Sequence, residues 1–122
     1  MFTPEKDTAY ECIYRSEFLN IFTNSRDNLI LTDWSGVIDA SKARSGCMAL
    51  LESLKKHPYQ KVLNNNSKVT GHYPGAIDWV GKVWFPSMYE LSVRWFAWVY
   101  SPEFYTQIST DVIINLSSRG NY

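Results

Sequence analysis

Residues 29–64 read LILTDWSGVIDASKARSGCMALLESLKKHPYQKVLN, and this stretch decides the fold class. Leu29–Trp34 is a run of apolar and β-branched residues, which predicts a strand. Asp39 then stands where a side-chain acceptor can cap the first turn of a helix. Ala40, Ala43, Cys47, Leu50, Leu51 and Leu54 follow at helical spacing on one face. Gly46 lies inside that helix, where glycine costs about 1 kcal/mol relative to alanine. Its presence predicts close packing of the helix on a sheet. Lys55-Lys56-His57 falls at the helix end, where cations complement the dipole, and Pro58 stops the helix. Lys61–Asn64 reads as a second strand. Two strands joined by a helix pair in parallel through a right-handed crossover.

Working outward, Glu17–Thr23 alternates as a strand does, and the turn formers of 24–28 join it to Leu29–Trp34 as a hairpin. A short strand over Tyr10–Tyr14 can precede it. Beyond Asn64 the residues Asn65–Pro74 read as a polar loop. A helix begins near Gly75, with Ile77, Val80, Trp84, Met88 and Leu91 as its main stripe. Trp79 and Val83 lie on another face, and Pro86 predicts a kink. Arg94–Tyr100 is apolar on both faces, the pattern of a central strand covered on both sides. Ser101-Pro102-Glu103 reads as a helix start, continued by Phe104, Ile108 and Val112. The expectation is one α/β domain over residues 1–122, a mixed sheet of four to five strands with helices packed on it. Residues 1–8 and 117–122 are expected to fray.

Composition excludes several function classes. Of 122 residues, 45% are hydrophobic and 20% charged, which fits a globular domain. Twelve basic residues balance twelve acidic ones, so the clustered basic face that nucleic-acid binding needs is missing. No apolar run approaches the ~20 residues of a membrane span. The start, MFTPEKDTAY, does not resemble a secretory signal, so a cytoplasmic location is expected. Cys12 and Cys47 match no metal spacing and are expected to be buried free thiols. No metal site and no cofactor are expected. The aromatic fraction, 16%, is high and suggests either core or a contact surface.

Several strings resemble the STAS domain family, in particular the SpoIIAA-like small bacterial proteins of STAS/Sec14 type. They are Asp33-Trp34-Ser35-Gly36, Lys61-Val62-Leu63-Asn64, Trp79-Val80, Trp84-Phe85-Pro86-Ser87-Met88, Phe96–Pro102, Phe104-Tyr105 and Gln107–Thr110. The resemblance covers about two thirds of the chain. It implies a mixed sheet and a non-catalytic regulatory or ligand-binding role. In the family's anti-sigma factor antagonists a loop serine is phosphorylated. The equivalent loop here is Asn64–Gly71, with Ser67 as the candidate phospho-site, although the Asp-Ser-Ser-Gly pattern is absent. Many relatives continue with another strand and helix, which implies a shortened version here.

Three functional readings follow. In the first, the chain is an interaction module that binds a protein partner or a second copy of itself. It does so through the helix of Gly75–Leu91, with Trp79, Val83, Phe85 and Met88 on the contact surface. In the second, it carries a small apolar ligand beside Trp95–Tyr100, which predicts a pocket of a few hundred Å3. In the third, His72 acts as a catalytic base with Asp78 or Asp33, an arrangement no spacing rule supports. The segment Lys68–Gly75 is the candidate ligand or anion site. There Gly71 and Gly75 permit close approach, and Lys68, Thr70 and His72 supply polar groups.

Overall fold

A computed structural model of the chain describes residues 3–71 and 84–99. After a short 3-10 turn, Pro4–Lys6, come β1 (Glu11–Arg15), β2 (Leu19–Asn24) and β3 (Leu29–Val37). Helix α1 (Ala40–Lys56) leads into β4 (Lys61–Gly71), and helix α2 (Phe85–Glu90) precedes β5 (Trp95–Val99). The five strands stand in chain order, β1-β2-β3-β4-β5. The first three are antiparallel, while β3/β4 and β4/β5 are parallel. The class is therefore α/β with a mixed five-stranded sheet, as expected.

Register explains which side chains meet. One row across the sheet is Tyr14, Ile21, Thr32, Asn64 and Trp98, and a neighbouring row is Thr23, Ile30, Val62 and Phe96. Successive residues of a strand point to opposite faces, so these rows share one face. The buried core joins Leu19, Ile21, Ile30, Trp34 and Val62 to Ala43, Cys47, Leu50, Leu51 and Leu54 of α1. The opposite face carries the rows Asn20–Asp33–Asn65–Val99 and Phe22–Leu31–Leu63–Ala97.

The signals for α1 hold. The Asp39 carboxylate accepts from the Lys42 backbone N–H at 2.8 Å, and the His57 N–H closes the last turn on Ser53. A Cβ at Gly46 would stand inside the ring of Trp34 and at 3.0 Å from Leu19. Glycine is there because the helix axis lies that close to the sheet. Cys47 is buried and Cys12 exposed, which corrects the expectation of two buried thiols. Cys12 sits beside a β-bulge of β1, next to Ile13, at one edge of the sheet.

Two further expectations are corrected. Asn64–Gly71 is the second half of β4, which keeps pairing with β3 as far as Val37 through two register shifts. Its polar residues look loop-like, but Asn64, Asn65 and Asn66 are buried and bonded. And β5 is not covered on both sides. Its burial alternates, with Trp95 60% and Val99 42% exposed. Pro86 lies in the first turn of α2, which follows directly on a Trp84 that is itself helical. The kink expected at Pro86 turns on Lys82 and the preceding turn, and residues 75–83 of that helix, like the helix after Ser101, fall outside the described residues.

Gly46→Ala separates two opposing effects. Helix propensity favours alanine by about 1 kcal/mol. Overpacking against a buried, doubly held indole costs about 1–3 kcal/mol. We expect net destabilisation, seen as a lower urea midpoint.

Candidate functional site

The richest constellation lies where α1, β4, α2 and β5 converge. Trp84 is buried and donates from Nε1 to the Cys47 carbonyl at 3.2 Å, which ties α2 to α1. Its ring meets Phe85 and Phe96 at 5.4 and 5.6 Å. Phe85 also meets Phe96 and Trp98, and Phe96 meets Trp98 at 4.6 Å, edge to face. Such contacts each add roughly 0.5–1.5 kcal/mol beyond area burial. Phe85, Phe96 and Trp98 are half-buried.

Behind the rings runs a buried polar chain. Asn64 Oδ1 accepts from Thr32 Oγ1 at 2.7 Å and from Trp34 Nε1 at 2.8 Å. Asn64 Nδ2 donates to Asn66 Oδ1 at 3.1 Å. One amide oxygen thus serves a buried indole N–H and a buried hydroxyl whose other acceptor, the Leu63 carbonyl, is at 3.5 Å. A cavity borders this chain, lined by Trp34, Cys47, Asn66, Val69, Trp84 and Trp98. Its volume is about 20 Å3, room for a single water. The apolar-ligand reading expects a few hundred Å3 beside Trp95–Tyr100, and Tyr100, at the end of that stretch, lies outside the described residues. Burial pushes the Cys47 thiol well above its usual range. A protonated thiol is a poor nucleophile, so its position here gives no thiol chemistry.

On the other face, Asp33 is 5% exposed and accepts from Lys68 Nζ at 3.0 Å and Asn65 Nδ2 at 3.2 Å. Asn65 Oδ1 in turn accepts the Ser67 N–H. Lys68 therefore neutralises a buried carboxylate across β3/β4 rather than waiting in a loop for an anion. Ser67 and Thr70 are exposed on β4, and Gly71 ends that strand. His72, Gly75, Asp78, Trp79 and Val83 lie outside the described residues. Of the contact candidates, Met88 is 1% exposed, packed in the core because α2 is pinned by Trp84, and this corrects its placement on the surface. Phe85 belongs to the ring cluster.

The reading from sequence missed the asparagine chain and the exposure of Trp95. A signal for the first existed: Asn64 and Asn66 continue the alternation of Val62, placing both on the core face. Among the described residues, no group of three or more His, Cys, Asp or Glu could hold a metal ion, and no helix is long and apolar enough to cross a membrane. No protein-family model matches the chain, and no curated protein matches it.

Two expected outcomes follow from this geometry. Asn64→Leu leaves the buried Trp34 indole N–H unmet, at roughly 1–3 kcal/mol, and the Thr32 hydroxyl with only the long 3.5 Å contact to the Leu63 carbonyl. Chemical denaturation should show that loss, and Thr32→Val in the same chain should recover part of it. Second, a thiol reagent should modify Cys12 quickly in the folded protein and Cys47 only on unfolding. The folded chain keeps the Cys47 proton at a pH where the unfolded chain releases it, so this thiol's contribution to stability falls as pH rises past the ordinary thiol range.

Proposed function

We propose that the chain is a non-catalytic, STAS-like interaction module of the cytoplasm. It binds a protein partner, or another copy of itself, through the segment 75–91 and the strand that follows it. One observation carries this reading: the row Trp95, Ala97 and Val99 is exposed on β5, at the edge of the sheet among the described residues. Tyr89 of α2 is a further exposed aromatic, stacked under Arg94 at 4.1 Å. Aromatic and aliphatic groups left in water at a strand edge mark contact surfaces.

The contrast with the other edge supports it. Strand β1 carries the charges Glu11 and Arg15 and a bulge, devices that discourage pairing. The β5 sequence, Trp95-Phe96-Ala97-Trp98-Val99, has no charge, no proline and no register shift against β4. Of the residues weighed for acid–base work, Asp33 is paired with Lys68 and Asn65, which supports a structural role for it.

Hydroxyl-radical footprinting read by mass spectrometry tests the surface. Trp95 should oxidise readily in the dilute full-length chain and become protected in the bound state. Protection of Trp95 already in the dilute monomer overturns the reading.

A further inference from the structure

From the same strand we infer that the partner is a second copy of this chain, joined by antiparallel pairing of β5 with β5 about a two-fold axis at Ala97. This rests on the reading of the chain as an interaction module and commits it to one occupant. A strand edge offers alternating N–H and C=O groups, and the partner that satisfies them is another strand. Among the described residues β5 bonds only to β4.

The β5 sequence is complementary to itself in that register. Two-fold symmetry makes the contact isologous, so each residue i meets j and j meets i. With Ala97 on the axis, Trp95 of one copy stands opposite Val99 of the other, and Phe96 opposite Trp98. On the exposed face the large indole thus meets the smaller β-branched residue. At the centre the two smallest side chains meet each other. Aromatic with β-branched and aromatic with aromatic are the favourable cross-strand pairs. Moving the axis to Phe96 or Trp98 would leave one end of the strand unpaired and put a ring against its own copy on the axis, in place of the smallest side chain of the strand.

Charge permits the approach. The whole chain is neutral, with twelve basic and twelve acidic residues, and β5 itself is uncharged. The residue before the strand, Arg94, donates to the Tyr89 and Val93 carbonyls and stacks on the Tyr89 ring. It is turned back on its own subunit. Counting the described strands, the product is one continuous sheet of ten, five from each copy, with the protected β1 edges at its two ends. Pairing stops there because the edges left outside are the ones that resist it.

The test uses the full chain with Cys12→Ser, so that the exposed thiol is removed. Directly opposed residues of an antiparallel pair have Cα atoms about 4.5–5.5 Å apart, within disulfide reach. Ala97→Cys in this background should therefore give a covalent dimer with copper phenanthroline in air. The exposed Glu90→Cys, off the strand, should not. Ala97→Lys changes an exposed side chain, keeps the fold by circular dichroism, and sets two like charges opposite only in this dimer. Sedimentation should show it shifted towards monomer. A chain that stays monomeric to about 1 mM and gives no Ala97→Cys cross-link overturns self-pairing, while exposure of Trp95 in footprinting would leave the interaction module standing. A dimer that persists in Ala97→Lys without the cross-link overturns it too, in favour of another surface. Protection of Trp95 in the dilute monomer removes both readings together.

Discussion

Trp34 is held from three directions. Its indole N–H donates to Asn64 on the neighbouring parallel strand, its ring lies in the space that Gly46 leaves open on α1, and Phe18 stacks on it at 6.2 Å. Removing any one of these would free the others to move. A side chain at Gly46 would lift α1 off the sheet. Loss of the Asn64 carbonyl would strand the indole N–H in an apolar interior, where an unmet donor costs roughly 1–3 kcal/mol. The contact between β3 and α1 and the register between β3 and β4 are therefore one problem with one solution. The aromatic cluster of α2 and β5 is built on top of it, because Trp84 reaches α1 at the carbonyl of Cys47, one residue beyond Gly46.

That dependence explains what was legible in the chain. The cap at Asp39, the apolar stripe of α1 and the glycine in its middle are local signals, and each describes a contact within a few residues or on one face. They gave the helix and, with the strands on either side of it, the parallel crossover. The run Asn64-Asn65-Asn66 misled because asparagine is a turn former by itself and a strand residue only when partners exist. Here the partners are about thirty residues away, on β3: Thr32 and Trp34 on one face, Asp33 on the other. No window along the chain contains both halves of these bonds. The aromatic strand misled for a related reason. An apolar residue on both faces is consistent with burial on both sides, but Trp95 and Val99 are apolar without being covered.

The two edges of the sheet follow different rules. On β1 the bulge at Cys12/Tyr14 and the terminal charges interrupt the flat ladder a partner strand would need. On β5 the ladder against β4 runs unbroken through five residues, Lys61–Asn65 opposite Trp95–Val99. A sheet that is blunted at one side and regular at the other has a direction. Among the described residues, contact with another strand is disfavoured at the first edge, and no bulge or charge interrupts the ladder at the second. The neutral charge of the chain adds no long-range repulsion between copies.

Asn64 also fixes register in a way an apolar residue could not. Because side chains alternate, a slip of β4 by one residue against β3 would send Asn64 to the opposite face and bring Leu63 or Asn65 under Trp34. A leucine in place of Asn64 would tolerate neighbouring registers with modest differences in packing. The amide does not, since only one alignment lets its oxygen meet both Thr32 and Trp34 while its nitrogen reaches Asn66. On the other face Asp33 imposes the same alignment through Asn65 and Lys68. Buried polar groups of this kind add little net stability, but each penalises the wrong alignment by leaving a partner unmet. With two such locks on opposite faces, β4 has one position, and β5, which pairs only with β4 among the described residues, inherits it. The exposure of Trp95 at the edge is thus set by hydrogen bonds two strands away.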